Sequence, residues 1–199
     1  MNTELKYVGY WPGYITNVDE VEEDLYESLD QLCQTFPLKV MGKTHESKRK
    51  CCLFLTMITV AAVVTGTSPN VETKSQLFTY SDVPHYDWSA CAIVLFLKDR
   101  LEEELGIKIK YCLINLYRNG SDYIGYHSDK EAGTDGHVVS ISWGATRKFR
   151  FQKSGYLKEF LLKSGDLVIM YPGCQQQYKH GIPVEKRVGG WRISMTFRE

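Results

Sequence analysis

The chain has 199 residues, of which 43% are hydrophobic and 24% are charged, and its formal net charge is zero. This length and composition predict one globular domain with a well-buried core. A neutral chain excludes nucleic-acid binding through a global positive field, so any such contact has to come from local basic clusters.

The six cysteines are scattered, and none forms a Cys-x-x-Cys pair. This pattern argues against a zinc site or a disulfide scaffold and predicts small buried thiols in an intracellular, reducing compartment. The first residues, MNTELKYVGYWPG, lack the basic and apolar segments of a signal peptide. The most apolar tract, residues 51–66, is shorter than the roughly 20 residues of a membrane span. We therefore expect a buried strand or loop there and no membrane partner.

Two segments have the spacing of amphipathic helices. Asn17 to Glu20 resembles a capping box, and apolar residues behind it recur at helical spacing, which predicts a helix over about residues 18–35. A second helix is predicted after Pro84, with Gly106 as its stop signal. The apolar face of this second helix comprises Val94, Leu97, Leu101 and Leu105.

From Ile107 onward the apolar pattern changes to a period of two, which is typical of strands. In the segment RKFRFQ, Phe149 and Phe151 share one face and the charged residues occupy the other. Five or more short strands after two helices predict an α+β fold, an antiparallel sandwich or jelly roll with helices packed on its outer face. The predicted strands lie within residues 107–117, 138–144, 147–152, 165–173 and 192–199.

His127 and Asp129 lie two residues apart at a strand end, so their side chains project to the same side. Imidazole and carboxylate groups both suit divalent iron, manganese or zinc. His180 follows a later strand and a Tyr-Pro-Gly turn, from which it can reach a site on the sheet. The three residues together predict the two-His-one-carboxylate centre of non-haem Fe(II) oxygenases. Taken alone, a His-x-Asp pair is more often a surface turn.

The last predicted strand carries two arginines, Arg192 and Arg198, of the same parity. If they point inward, they need an anion to offset their burial, and an α-keto acid bound beside a metal supplies one. The alternation leaves a second interpretation open, a solvent-facing edge strand with its charges outward. The polar face comprises Arg192, Ser194, Thr196 and Arg198, and the apolar face comprises Ile193, Met195 and Phe197.

Several short segments occur in a specific order over about residues 78–198: Asn115-x-Tyr117, Gly120-x-Asp122, Ile124-Gly125, His127-x-Asp129, SISWGATRKFRF, His180 and RISMTFR. In this order they resemble the AlkB family of Fe(II)/2-oxoglutarate-dependent nucleic-acid demethylases, most strongly its eukaryotic DNA-repair members. The resemblance implies a double-stranded β-helix, or jelly roll, that uses Fe(II), 2-oxoglutarate and O2. Its iron ligands would be His127, Asp129 and His180.

The same resemblance implies the cosubstrate contacts. Asn115 and Tyr117 would contact 2-oxoglutarate, Arg192 would hold its distal carboxylate, and Arg198 would lie near the metal. Ser194 departs from the family, whose closing strand usually has Asn at this position. We expect weaker binding of 2-oxoglutarate from the shorter side chain, without loss of activity.

Three further residues would contact the base. The resemblance implies that Tyr80 stacks on the flipped base opposite His127, and that Glu131 favours the positive charge of a base methylated at its Watson–Crick face. Met41, in the segment VMGK, would be the apolar wedge of a finger that probes the duplex. The alternatives are a core aromatic for Tyr80, a solvated loop acid for Glu131 and a buried strand residue for Met41.

The implied function is oxidative demethylation of 1-methyladenine and 3-methylcytosine in DNA or RNA by a monomer, with formaldehyde and succinate as products. The implied domain spans residues 1–199, with an N-terminal extension (1–76) that carries the first helix and the finger, and a jelly-roll core (77–199).

Candidate phosphate contacts are KTHESKRK (43–50), RKFR (147–150) and Lys186–Arg187. Alternatives are a protein or lipid substrate for the same iron chemistry, an inactive nucleic-acid-binding module and a zinc hydrolase.

Overall fold

The computed structural model of the chain describes residues 5–40, 43–56, 82–129 and 136–199. The helices of this part are α1 Glu22–Leu32, α2 Ala92–Leu105 and the short α3 Cys174–Gln177. The strands are β1 Val8–Trp11, β2 Pro37–Val40, β3 Lys43–Glu46, β4 Lys50–Leu55, β5 His85–Asp87, β6 Tyr111–Tyr117, β7 Ile124–His127, β8 Val138–Gly144, β9 Arg147–Lys153, β10 Tyr156–Leu162, β11 Leu167–Met170, β12 Lys179–Ile182 and β13 Arg192–Arg198.

Within the described residues, the strands form two facing sheets and a hairpin. The larger sheet has the order β1-β11-β8-β13-β6-β4-β5, the smaller sheet has the order β10-β9-β12-β7, and β2 pairs with β3. Neighbouring strands are antiparallel except β4 and β5, which are parallel. This architecture confirms the predicted α+β fold, a double-stranded β-helix with helices outside.

Two apolar layers hold the sheets and helices together. Between the larger sheet and the helices, Leu25 and Leu29 of α1 and Leu97 of α2 pack in one buried cluster with Ile193 and Met195 of β13. The second layer lies between the two sheets and includes Tyr117, Phe149, Phe151, Val168, Met170 and Ile182. The alternation of β13 thus supplies the outer layer with its apolar side chains and leaves its polar face to the space between the sheets.

Both predicted helices form, with shifted starts. A 3₁₀ turn at Val18–Glu20 precedes α1, which begins at Glu22, and the Asn17 side chain makes no capping hydrogen bond, so the predicted capping box is wrong. The second helix begins only at Ala92, after β5 and another 3₁₀ turn. It ends where predicted, at Gly106, whose φ of 64° is the left-handed conformation that glycine adopts readily.

The five predicted strand segments correspond to β6, β8, β9, β11 and β13, and only β9 extends beyond its segment, by one residue. One detail of β9 was predicted wrongly: Arg147 lies on the same buried face as Phe149 and Phe151, not on the charged face. In β13 all seven residues are buried, and the strand lies between β8 and β6. The alternative of a solvent-facing edge strand is therefore wrong.

The apolar tract that begins at Cys51 starts as the buried strand β4, and its residues 57–66 lie outside the described part. The predicted boundary near residue 76 also lies outside it. Strands from both sides of that boundary share the larger sheet, because β1 pairs with β11 and β4 pairs with β6. None of the described helices is long and apolar enough to span a membrane.

Candidate metal centre

A cavity opens between the two sheets, on the polar face of β13. The larger sheet contributes side chains of β6, β8, β11 and β13, and the smaller sheet contributes side chains of β7, β9 and β12. Its lining includes the apolar residues Leu113, Ile124, Phe149, Met170 and Ile182, and the polar residues Arg49, Asn115, Tyr117, His127, Asp129, Ser140, His180, Arg192, Ser194, Thr196 and Arg198. A pocket with apolar walls and a few convergent polar groups is typical of a small-molecule site.

The three predicted ligands meet in this cavity. His127 is the last residue of β7, Asp129 follows it by two residues, and His180 lies on β12 directly opposite His127 in the strand register. One potential ligand atom from each residue lies within 4.8 Å of the others. The carboxylate of Asp129 is 3.6 Å from Nε2 of His127 and 3.9 Å from Nε2 of His180. Antiparallel pairing of β7 and β12 therefore brings together residues far apart in the sequence.

The histidines are held in a state that can bind a metal. Nδ1 of His127 lies 2.9 Å from the carbonyl oxygen of Gly125 and donates to it, which orients the ring with Nε2 toward Asp129. Burial lowers the pKa of His180 to about 3, despite the opposing effect of Asp129. The His180 ring is thus neutral, the form that coordinates metal.

Asp129 is buried and ionised. Burial acts to raise its pKa, but the charge and hydrogen bond of the Arg198 guanidinium act to lower it, and the pKa lies below its ordinary value. Nη2 of Arg198 is 3.1 Å from Oδ1 of Asp129, and Nη1 donates to the hydroxyl of Tyr111. Arg198 therefore lies beside the His-Asp-His group.

Arg192 is almost fully buried, with 1% of its surface exposed. Nη2 donates to Oγ of Ser142 at 2.9 Å, while Nε and Nη1 have no hydrogen-bond partner among the described residues. Burial lowers the pKa of Arg192 to about 10, and the Tyr117 ring lies 5.4 Å beneath its guanidinium. A buried cation with two unmet N–H donors is costly by itself, so this corner of the cavity fits a carboxylate.

The remaining predicted cosubstrate residues line the same cavity. Ser194 is opposite Asn115 in the register of β13 and β6, and its hydroxyl is 2.9 Å from that of Ser140. The shorter Ser194 side chain thus has a partner within the sheet. Tyr117 is buried opposite Arg192. The structure therefore brings together the predicted cosubstrate residues around the His-Asp-His group.

Arg49 belongs to the segment 43–50, which the sequence offers as a phosphate contact, and its place in the cavity was not predicted. It is 6% exposed, it lines the cavity, and its Nε donates to Oδ1 of Asn115 at 2.6 Å. The available signal was its parity with Cys51 and Leu53, which places Arg49 on one face of an otherwise apolar run. Arg49 is thus a third buried guanidinium in the cavity, beside Arg192 and Arg198.

The other basic clusters are also partly structural. Arg147 is buried and donates to the carbonyl oxygens of Asn119, Asp122 and Pro183 and to the Glu185 carboxylate, so it is not available to a phosphate. Lys50 pairs with Asp30, and Arg150 pairs with Glu159. Tyr80, Glu131 and Met41 lie outside the described residues.

Two histidines and one carboxylate on a β scaffold, with ligand atoms this close, fit a divalent iron ion with open positions for other ligands. The orphaned N–H groups of Arg192 fit the distal carboxylate of a keto acid. A zinc hydrolase would use similar ligands, but it would give the buried arginines no anion to bind. The chemistry of the donor set therefore matches an iron- and keto-acid-dependent oxidation.

Known sequences that are similar to this chain agree with an iron- and keto-acid-dependent oxidation. Residues 9–198 match the sequence model of the 2OG-Fe(II) oxygenase superfamily. The human alpha-ketoglutarate-dependent dioxygenase alkB homolog 3 is 30% identical over 214 residues, covering 98% of this chain and 67% of that protein. The mouse DNA oxidative demethylase ALKBH2 is 30% identical over 115 residues, covering 52% of this chain and 48% of that protein.

Solved structures share the fold. The structure of OsALKBH1 superimposes with a TM-score of 0.58 at 17% identity and covers 98% of both chains. An oxidoreductase of the 2OG-Fe(II) oxygenase family from Burkholderia pseudomallei has a TM-score of 0.57 at 16% identity, covering 96% of this chain and 84% of that chain. At these identities the similarity concerns the fold alone.

Proposed function

Because this chain belongs to the AlkB family of the 2OG-Fe(II) oxygenase superfamily, we propose that it removes N-methyl groups from bases of DNA or RNA, with 1-methyladenine and 3-methylcytosine as substrates. The observation that carries the proposal is the similarity to dioxygenase alkB homolog 3 over 98% of the chain, which includes the complete His-Asp-His group. The relative named as a DNA oxidative demethylase, ALKBH2, supports the choice of a nucleic acid.

Different residues of the cavity bind the metal and the cosubstrate. His127, Asp129 and His180 hold Fe(II). Fe(II), 2-oxoglutarate and O2 together supply the oxidation of the N-methyl carbon, which leaves as formaldehyde while 2-oxoglutarate becomes succinate and carbon dioxide. The protein positions the reactants, because its metal ligands and cosubstrate contacts are held by paired strands before the reactants bind.

Arg192 binds the distal carboxylate of 2-oxoglutarate through its guanidinium, whose Nε and Nη1 lack hydrogen-bond partners in the described structure. A guanidinium suits this task because it presents a planar fork to a carboxylate. Tyr117 packs beneath the guanidinium and fixes its plane. Asn115 contacts the cosubstrate from the neighbouring strand, with its amide oriented by Arg49.

The walls of the cavity limit the access of water. Phe149, Met170 and Ile182 place apolar surface around the polar centre. Exclusion of water strengthens the attraction between the Arg192 guanidinium and a bound carboxylate. The apolar lining thereby favours binding of the cosubstrate before the substrate arrives.

The base contacts follow the resemblance. Tyr80 stacks on the flipped base opposite His127, Glu131 favours its positive charge, and Met41 fills the gap left in a duplex. A base methylated at its Watson–Crick face is cationic, so a carboxylate at position 131 distinguishes it from the neutral unmodified base.

The test is a panel of oligonucleotides that carry 1-methyladenine or 3-methylcytosine in single- and double-stranded DNA and RNA. Formaldehyde and succinate are measured with Fe(II) and 2-oxoglutarate omitted in turn. We expect equal amounts of both products with at least one substrate, and none with either component omitted or with Asp129→Ala. Succinate formation without release of formaldehyde from any methylated oligonucleotide would reject the nucleic-acid substrate and keep the oxygenase. An Asp129→Ala chain that still demethylates would reject the metal assignment.

A further inference from the structure

Gln175, in the short helix α3, contacts the carboxylate ligand Asp129 at two points. Its amide oxygen accepts the backbone N–H of Asp129 at 3.0 Å, and its amide nitrogen donates to Oδ2 of Asp129 at 3.2 Å. Both ends of one side-chain amide are therefore used on the main chain and the side chain of the same residue. Neither His-x-Asp nor the Cys-Gln-Gln-Gln sequence of α3 indicated this contact.

The second contact completes the restraint of the carboxylate. Oδ1 of Asp129 is held by Nη2 of Arg198 at 3.1 Å, and Oδ2 is held by Gln175. A carboxylate with a hydrogen bond on each oxygen cannot rotate without breaking one of them. Partners of this kind set the orientation of a metal ligand and its donor strength.

The same region joins the two ligand-bearing segments. The hydroxyl of Ser128 donates to the carbonyl oxygen of Tyr178 at 3.0 Å, two residues before His180. Gln175 also reaches Sδ of Met170, the last residue of β11, at 3.5 Å. The segment 127–129 is thus hydrogen-bonded to the connection between β11 and β12. These hydrogen bonds fix the distance between Asp129 and His180.

We propose that Gln175 is a positioning residue of the metal centre, which holds Asp129 in its metal-binding orientation before the ion arrives. A loop that has to be ordered on binding lowers affinity by the cost of that ordering. A carboxylate that is already oriented avoids this cost. Gln175 therefore acts on the affinity for the metal itself, whatever substrate the enzyme oxidises.

The test compares Gln175→Met with the matched variant Gln176→Met, whose side chain lies next along α3 and is exposed. Methionine keeps the length of glutamine and removes both hydrogen bonds. The dissociation constant of Co(II) for the metal-free full chain is measured by calorimetry, with the visible absorption of bound Co(II) as a second reading. We expect binding about 10- to 100-fold weaker for Gln175→Met and a change below about twofold for Gln176→Met.

The melting temperature of the metal-free chain separates positioning from folding. A Gln175→Met chain that binds Co(II) as tightly as the original chain would overturn the proposal, whether or not its melting temperature falls. If Gln175→Met does not melt cooperatively, the variant Gln175→Asn is used for the test. Asparagine keeps both polar groups of the amide on a side chain that is one carbon shorter. Weaker Co(II) binding by a folded Gln175→Asn chain supports the proposal, and unchanged binding rejects it. Neither result depends on the oligonucleotide assay.

Discussion

His180 lies directly opposite His127 in the register of β12 and β7, and their ring centroids are 4.4 Å apart. The metal centre is therefore a product of strand pairing: one hydrogen-bonded ladder carries two of its three ligands. A shift of this register by one residue would turn one imidazole to the opposite face of the smaller sheet. The register of β7 and β12 is thus a requirement for the chemistry as well as for the fold.

Arg192 is expected to weaken the metal-free fold and to be needed for cosubstrate binding. Arg192→Met removes a buried guanidinium whose Nε and Nη1 have no partner within the described part of the chain, so the free energy of unfolding of the metal-free chain should stay constant or rise, by up to about 4 kcal/mol. The KM for 2-oxoglutarate should rise at least about 100-fold, because two charge-assisted hydrogen bonds of about 1.5–3 kcal/mol each are lost.

The matched control is Arg147→Met. Arg147 is equally buried, but its N–H groups are hydrogen-bonded to carbonyl oxygens and to Glu185. This variant should lose about 3–5 kcal/mol of unfolding free energy. Denaturant titration and initial rates measure both effects. Equal losses of stability for the two variants would contradict the account of Arg192.

Arg49 is predicted to act on 2-oxoglutarate through Asn115. In Arg49→Met the Asn115 amide loses its 2.6 Å donor and can turn, so KM for 2-oxoglutarate should rise about 10-fold while kcat changes little. Lys48→Met, at an exposed neighbouring position, is the control. Initial rates at varied 2-oxoglutarate check the prediction. An Arg49→Met enzyme with an unchanged KM would show that the Arg49–Asn115 contact serves the fold only.

Asp122 should stabilise the turn before β7 in a pH-dependent way. It accepts three hydrogen bonds from Arg118, one from the backbone and two from the guanidinium. Burial acts to raise the pKa of Asp122, but these bonds outweigh it and the pKa is lowered. A depressed pKa gives stability that is present above the unfolded value of about 3.9 and is lost as pH falls through the folded value.

At pH 7, Asp122→Asn should therefore lower the free energy of unfolding by about 1–3 kcal/mol, and the difference from the original chain should shrink below about pH 4. Urea titrations of both chains between pH 3 and 7 measure it. A difference that grows toward low pH would have the wrong sign for this account.

The cysteines should be inert in the native chain. All six are free and buried, and burial raises the pKa of Cys51 and of Cys174 to about 12. Because the thiolate is the reactive form, a thiol reagent at pH 8 should modify none of them rapidly, and should modify all six after unfolding in denaturant. Rapid modification of any native thiol would show that its part of the core opens readily.

The sequence predicted the features that depend on local pattern. The alternation of β13 placed Arg192 and Arg198 on one face, and the structure confirms that this face is polar and lines the cavity. The end of α2 at Gly106 followed from the conformational freedom of glycine. These features are set by residues close in the chain, which is why a period or a stop residue is enough to find them.

What the sequence did not predict depends on long-range contacts. Strand parity places Arg147 and Arg49 on buried faces, but nothing local shows their partners, which are carbonyl oxygens for Arg147 and Asn115 for Arg49. The sequence did not predict the strand β10. Leu157 and Leu161 lie on one of its faces, and Lys158 and Phe160 lie on the other. Because both faces carry apolar residues, the pattern of a half-buried strand is absent. Gln175 was missed because its partner, Asp129, is on a distant segment.

A crystal structure of the chain with Mn(II) in place of iron and with 2-oxoglutarate, grown without oxygen, tests the central claim most directly. We predict one metal ion coordinated by Nε2 of His127, a carboxylate oxygen of Asp129 and a ring nitrogen of His180, with the distal carboxylate of 2-oxoglutarate hydrogen-bonded to the guanidinium of Arg192. A metal bound without His180, or a cosubstrate whose carboxylates both lie away from Arg192, would contradict it.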